Sequence, residues 1–309
     1  MHKGKVVVKK DKYIIIDCEI CGFKHLDPIP TKEDMEKFYK REYFDLVKKG
    51  GRAPEIRRLM NGEEEARSEL KWLESTLYND IHVILTKYLP KKAKELCDIG
   101  CGTGNFLKYM SKKGWKCIGI EPSQEGSKIC TNLGLTIYPF TLKEFIDTYP
   151  NMKNTFDAVS LLDVLEHVSS PFDFLNDVKK LLKPHTGIIC IRVPNDFNKL
   201  QIYIQKKLRK TPWWVAVPDH INYFNFKTLQ KLLTSLGMDI VYKTTDFPME
   251  FFLLMGYDYV KDSKIGSLCH NKRVKFELFL PNVIRRNLYK VLATISIGRS
   301  CLVFAKVKS

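Results

Sequence analysis

A chain of 309 residues is long enough to bury a full core and to form roughly two domains. Its 44% hydrophobic and 28% charged residues make an ordinary globular balance, which excludes a disordered chain; with no apolar run of about 18 residues, no membrane-spanning helix is expected. The formal net charge of +16 fits either a lysine-rich surface or an anionic partner: a nucleotide-sugar, a phosphorylated lipid carrier, a membrane face or nucleic acid.

The lysine-rich N-terminus has no apolar segment suited to a secretory leader. Nine cysteines, several in expected strands (Cys97, Cys117, Cys190, Cys301), predict reduced thiols and a cytoplasmic protein. Lys12–Cys18 alternates weakly and is expected as a strand outside the main sheet. Cys18-x-x-Cys21-Gly22 is half of a zinc ribbon, and no second Cys-x-x-Cys lies nearby. His2 and His25 could complete a site, but the reading assigns no metal. A helix is expected at Lys32–Lys40, a hinge at Gly50-Gly51, and helices over 54–89 with a Leu70/Leu73/Leu77 stripe.

From Lys94 to Val193 strands (94–99, 116–121, 135–140, 156–162, 187–193) alternate with helices (105–113, 123–133, 142–149, 171–183). That alternation predicts a parallel sheet with helices on both faces. Asn225 is an N-cap for a helix carrying Leu229, Leu232, Leu233 and Leu236, and Gly237 ends it. Strands at 238–244 and 300–306 are expected to form a closing antiparallel hairpin. Between them, 246–298 reads as an insertion rich in aromatics and basic residues. From Lys261 onward 11 Lys or Arg stand against Asp262 and Glu277 alone, a local basic surface. A substrate lid, a dimer interface or a resting place on a membrane are the expectations for it.

The stretch Glu95–Leu107 reads as a buried strand, a turn containing Gly100, Gly102 and Gly104, and a helix opening at Asn105. Such a turn lets backbone approach a ligand, with the helix amides pointing at it. The spacing is G-x-G-x-G rather than the dinucleotide G-x-G-x-x-G. Asp98 beside the turn would repel a pyrophosphate but suits an amino group. Glu121, 17 residues after Gly104, ends the next strand, where a carboxylate can accept two ribose hydroxyls.

These residues resemble motif I and the following acidic position of class I S-adenosylmethionine-dependent methyltransferases. The resemblance implies an α/β fold, a Rossmann-like seven-stranded sheet of order 3-2-1-4-5-7-6. It would carry an N-terminal cap (1–90) and a methyltransferase domain (91–309) with a basic insertion before the last strand. The cofactor would be S-adenosylmethionine, bound by Asp98, Gly100, Cys101, Gly102, Gly104, Glu121 and Pro122. Phe140, Thr141 and Leu142 would wall the adenine, and Leu162 and Asp163 would border the methionine end. The Cys18–Gly22 turn with Pro28-Ile29-Pro30-Thr31, a helix, Tyr39, Tyr43 and Phe44 is similar to the N-terminal region of a bacterial family acting on sugars and surface polysaccharides. That region carries a four-cysteine ribbon, and the first cysteine pair is missing here.

The implied activity is O-methylation of a sugar, nucleotide-sugar or glycan precursor. A quinone-type or other small molecule, or an RNA or protein, is the alternative, and a non-enzymatic binding module is the remaining one. No base-amino tetrad or RNA module is visible, which argues against nucleic acid. Asp163–Val168 resembles the family's D-x-x-E-H-V segment. His167 is one candidate base; it could instead cap a turn, or Asp163, Glu166 and His167 could hold a divalent ion as in a related quinone-biosynthesis group. His220 is the second candidate base. Asn195, Tyr223 and Trp213 form the expected acceptor set, Trp213 by stacking on a ring. Lys206, Lys207, Arg209 and Lys210 could meet a diphosphate.

Overall fold

A computed structural model of the chain describes residues 2–38, 58–59 and 63–308. Tyr39, Tyr43, Phe44, Gly50 and Gly51 lie outside the described residues.

The N-terminal strands β1 (Gly4–Lys10), β2 (Tyr13–Cys18) and β3 (Lys24–Asp27) form an antiparallel ribbon of their own. Helices α1 (Lys32–Lys37), α2 (Glu63–Ser75) and α3 (Leu77–Tyr88) follow. Then strands β4 (Glu95–Ile99), β5 (Lys116–Ile120), β6 (Ile137–Tyr138), β7 (Ala158–Leu162) and β8 (Ile188–Pro194) build a parallel sheet. Their crossovers contain α4 (Asn105–Lys112), α5 (Gln124–Asn132), α6 (Leu142–Thr148) and α7 (Pro171–Leu181). After α8 (Lys199–Lys207), the short β9 (Asn222–Tyr223) returns to pair with β3. Helix α9 (Phe226–Ser235) and β10 (Met238–Thr244) lead to α10 (Glu250–Leu254), α11 (Ser263–Phe279), α12 (Asn282–Thr294) and β11 (Ser300–Val307).

The large sheet runs β10-β11-β8-β7-β4-β5-β6, with β11 antiparallel to both neighbours. Counted along the chain this is 3-2-1-4-5-7-6, the expected α/β topology. The central strands are mostly apolar, as strands covered on both faces are, with Asp98, Ser160 and Arg192 the buried polar exceptions. Alternate residues serve opposite layers: Val159 and Leu161 pack with Phe145, Leu175, Leu229 and Leu233, while Ala158 packs with Ile81, Leu85, Phe106 and Met110. Asn225 and Thr228 close a reciprocal cap at the start of α9, as its sequence predicted.

The small sheet, β1-β2-β3-β9, is tied to the large one by Phe23, whose ring lies 4.9 Å from that of Phe224. The insertion is built into the body of the protein rather than laid over it. Asp246 accepts from Arg192 (3.3 Å), Arg273 (3.1 Å) and the Ser300 amide (2.9 Å). Glu277 accepts from Trp72 (2.6 Å), Tyr289 (2.6 Å) and Arg273 (3.4 Å). Burial works against the charge on Asp246, but Arg273, Arg192 and Arg299 outweigh it and hold its carboxyl below the ordinary value. Helix α12 buries Arg285, Tyr289 and Ala293, leaving Ile284, Leu288, Val291 and Ile295 outward along one stripe.

Candidate cofactor and acceptor site

A cavity of about 1010 Å³ opens at the carboxyl ends of β4, β5, β7 and β8. This is the crevice that doubly wound sheets present to ligands, and its size, at the top of the roughly 300–1,000 Å³ range of ligand pockets, has room for two molecules side by side.

Its floor is the turn after β4. Gly100, Gly102 and Gly104 all have positive φ (70°, 56° and 73°). A Cβ at Gly104 would meet Leu135 and Cys130 within 2.8 Å, whereas one at Gly102 would project into open space at the cavity wall. Asp98 ends the buried strand and accepts from Ser160 Oγ at 2.6 Å. Glu121 accepts the Gly102 and Ser123 amides at 2.8 and 2.9 Å. The second acid therefore braces the turn that the first acid precedes. Burial pushes both carboxyls up to about 7; the Ser160 hydrogen bond opposes the rise at Asp98, while the nearby Glu121 charge adds to it. Buried acids of this kind gain from the donors a ligand brings, which suits an ammonium at Asp98 and a ribose diol at Glu121.

Cys101, Pro122, Phe140, Thr141, Leu142, Leu162 and Asp163 all line the same cavity. Thr141 is fixed by a capping box with Glu144 at the start of α6, so the wall opposite the glycine turn is rigid. Asp163, with φ 60°, is ion-paired to Arg192.

The two candidate bases share one corner. The His167 and His220 rings stand edge to face, 4.8 Å between centroids, and both line the cavity. His167 Nδ1 lies 2.8 Å from the Asp219 carbonyl. A carbonyl only accepts, so Nδ1 carries the proton and Nε2 keeps its lone pair. Glu166 lies beside it, its carboxyl 3.9 Å from His167 Nε2; burial, then the Asp163 charge, pushes that carboxyl well above its ordinary value.

Two of the expected acceptor contacts are corrected. Asn195 is buried and donates to the Ser296 and Gly298 carbonyls at 3.2 and 3.0 Å, stitching β8 to the turn before β11 rather than facing an acceptor. Tyr223 is buried in the core of the small sheet with Ile15, Leu26 and Trp214. Trp213 does line the cavity. A divalent ion shared by Asp163, Glu166 and His167 is not supported: Asp163 is turned to Arg192, and it is Glu166, His167 and His220 whose donor atoms come within 4.8 Å of one another. No described residue of 246–298 lines the cavity, so the insertion is not its lid. The wall that the sequence hinted at only through a leucine stripe is supplied by Leu73, Leu77 and Tyr78, with Met35 from α1. Asp219 and Arg192, which orient His167 and Asp163, carried no sequence signal.

Known proteins share the family sequence pattern and the fold. The sequence pattern of the methyltransferase-domain family matches residues 70–243. Among curated relatives, a ubiquinone biosynthesis O-methyltransferase of Roseobacter denitrificans is 32% identical over 163 residues, 49% of this chain and 62% of that protein. One of the same name from Actinobacillus pleuropneumoniae is 30% identical over 128 residues, 37% of this chain and 55% of that protein. The chain thus spans somewhat over half the length of the curated relatives it matches. Among solved structures, a SAM-dependent methyltransferase from Archaeoglobus fulgidus superposes with a TM-score of 0.50 at 20% identity, covering 86% of this chain and 99% of that one. A 1,6-didemethyltoxoflavin-N1-methyltransferase of Burkholderia thailandensis, solved with 1,6-didemethyltoxoflavin and S-adenosylhomocysteine, gives 0.51 at 11% identity, covering 99% and 100%. The fold is that of class I methyltransferases. The chain belongs to the methyltransferase-domain family.

Proposed function

We propose that the protein is an S-adenosylmethionine-dependent O-methyltransferase of a small, largely apolar hydroxyl compound of the phenol or quinol type. S-adenosylmethionine supplies an electrophilic methyl group on a positively charged sulfur. In this reading Asp98 takes the amino group, the Gly100–Gly104 backbone follows the amino-acid arm, Glu121 takes the ribose hydroxyls, and Phe140, Thr141 and Leu142 wall the adenine. Leu162 and Asp163 border the sulfur end. His167 Nε2 accepts the acceptor's hydroxyl proton as the oxygen attacks the methyl carbon and the carbon–sulfur bond breaks, with His220 beside it. The protein's main task is to hold the two reactants in line; the base adds about 10²–10⁴-fold.

The observation that carries the choice of acceptor is the apolar share of the lining of the cavity that also holds the two histidines. Met35, Leu73, Leu77, Ala216 and Trp213 offer apolar and aromatic surface. A sugar would need several polar partners there, and a nucleotide-sugar would need cations for its diphosphate. Lys206, Lys207, Arg209 and Lys210 are not among the described residues lining the cavity. Of the three cations that are, Arg192 is engaged with Asp163, Lys143 with Asp147, and Arg299 lies close enough to Asp246 to help hold down its carboxyl. The naming of the curated relatives points the same way, toward the quinone alternative and away from polysaccharide precursors. An apolar acceptor also gives a use to the outward stripe of α12, which we read as a peripheral membrane contact.

The test is methyl transfer from isotope-labelled donor to a panel of catechols, hydroquinols and nucleotide-sugars, read by mass spectrometry. Labelled aromatic ethers are expected. Methylated nucleotide-sugars with untouched phenols would overturn the acceptor class while leaving the donor site in place.

A further inference from the structure

Far from the glycine turn, at the open end of the small sheet, four side chains converge that the proposed reaction does not use. His2 precedes β1, Cys18 ends β2, Cys21 lies in the β2–β3 turn and His25 is in β3. Their donor atoms all lie within 4.8 Å of one another. His2 Nδ1 is 3.3 Å from Cys21 Sγ and 3.5 Å from Cys18 Sγ, and the two imidazoles meet edge to face at 4.7 Å. The Cys21 amide points at Cys18 Sγ from 3.4 Å, and Gly22, at φ 73°, closes the turn by donating its amide N–H to the Cys18 carbonyl at 2.9 Å.

The decisive residue is His25. It is fully buried, and its Nδ1 lies 2.6 Å from the Leu26 carbonyl, which fixes the proton on Nδ1 and leaves a lone pair on Nε2. Nε2 is itself buried and has no hydrogen-bond partner. A backbone carbonyl holding one ring nitrogen so that the other can bind is the usual support of a metal-ligating histidine. Burying that lone pair with nothing to donate to it is unfavourable, and a cation removes the penalty.

We propose that His2, Cys18, Cys21 and His25 bind one zinc ion in a closed, tetrahedral, structural site. Two sulfurs at about 2.3 Å and two nitrogens at about 2.0 Å from a central ion lie some 3.3–3.8 Å apart, a small contraction of the present cluster. Binding releases the two thiol protons to solvent; no redox change is involved. The ion ties the chain start and the β2–β3 turn to β3. Strand β3 then carries the effect to the cavity: His25 is paired with Asn222, and the Leu26 amide donates to the Ile221 carbonyl at 2.9 Å, one residue beyond His220. The site thus anchors the ribbon that positions one of the two cavity histidines. The assignment does not depend on which acceptor is methylated.

The experiment uses tag-free, full-length protein purified under reducing conditions without chelator. Elemental analysis is expected to find close to one zinc per chain. After metal removal, cobalt(II) should give the intense d–d bands of a tetrahedral site with sulfur-to-metal charge transfer. Cys21→Ser and His2→Ala, both at the accessible side of the cluster, should each weaken zinc binding by more than roughly 100-fold, beyond what loss of a supporting hydrogen bond does. Cys117→Ser, in β5, should leave zinc content unchanged. Substoichiometric zinc in the folded wild type with no cobalt spectrum would overturn the proposal, as would a Cys18–Cys21 disulfide in the freshly purified protein. If Cys21→Ser fails to fold, the wild-type cobalt spectrum and His2→Ala decide the matter.

Discussion

The His167 and His220 rings meet edge to face in one corner of the cavity although 52 residues separate them in the chain. The contact is made by the loop 217–221, whose Asp219 carbonyl takes the His167 Nδ1 proton and whose Ile221 amide donates to the Glu166 carbonyl. His167 is therefore held with Nε2 as its basic atom and His220 as its neighbour.

His167→Ala should lower kcat by about 10²–10⁴-fold, the usual worth of a positioned base, with donor affinity unchanged. His220→Ala should lower kcat less. Steady-state rates alongside calorimetric titration with S-adenosylmethionine separate the two effects. Full turnover in both variants would remove the base from the scheme.

Asp98 and Glu121 give a pH dependence of opposite sign for folding and for binding. Each carboxyl is raised in the folded chain, to about 7. The folded chain then holds protons that the unfolded chain has lost between about pH 4 and pH 7, so stability of the ligand-free protein is greatest at the acidic end and falls as pH rises through 7. Donor binding needs the carboxylates, so affinity should rise across the same region. Melting curves and donor titrations at about pH 6 and pH 8 check both trends; affinity that is flat with pH would contradict the roles given to the two acids.

Asp98→Asn removes the buried charge and keeps an acceptor for Ser160. It should raise the melting temperature of the ligand-free protein at neutral pH while weakening donor binding by more than about tenfold, the worth of a charge-assisted hydrogen bond. Glu121→Ala should weaken donor binding at least as much, since the Gly102 and Ser123 amides then lose their acceptor as well. Unaltered affinity in both would place the donor elsewhere.

Arg273 lies between Asp246 and Glu277 and is almost wholly buried. Arg273→Met should destabilise the protein by about 3–5 kcal/mol, because two buried carboxylates lose their shared cation. Urea unfolding measures this; a loss below about 1 kcal/mol would mean that the network does not hold the insertion.

The outward apolar stripe of α12 predicts binding to anionic vesicles, with the chain's net charge of +16 supplying charge attraction. Co-sedimentation with anionic but not zwitterionic vesicles is expected, and Ile284→Glu combined with Ile295→Glu should abolish it. Wild-type protein that stays in the supernatant would rule the contact out.

The strand and helix order, the glycine turn, Asp98 and Glu121 were all legible in the sequence. They depend on local physics: periodicity sets which face is buried, and a positive-φ turn between a strand and a helix needs glycine at fixed spacing. What lies between distant segments was not legible. Asn195 and Tyr223 sit next to residues that line the cavity, yet each turns into the core, because orientation past a strand end is set by the partners it finds there. By composition the insertion read as a lid, a dimer interface or a membrane rest; its Arg273 and Glu277 become buried because Trp72 arrives from a distant part of the chain. The sequence offered His2 and His25 as possible partners of Cys18 and Cys21; only the folded chain decided that the four donor atoms converge, since a ligand set depends on distances in space.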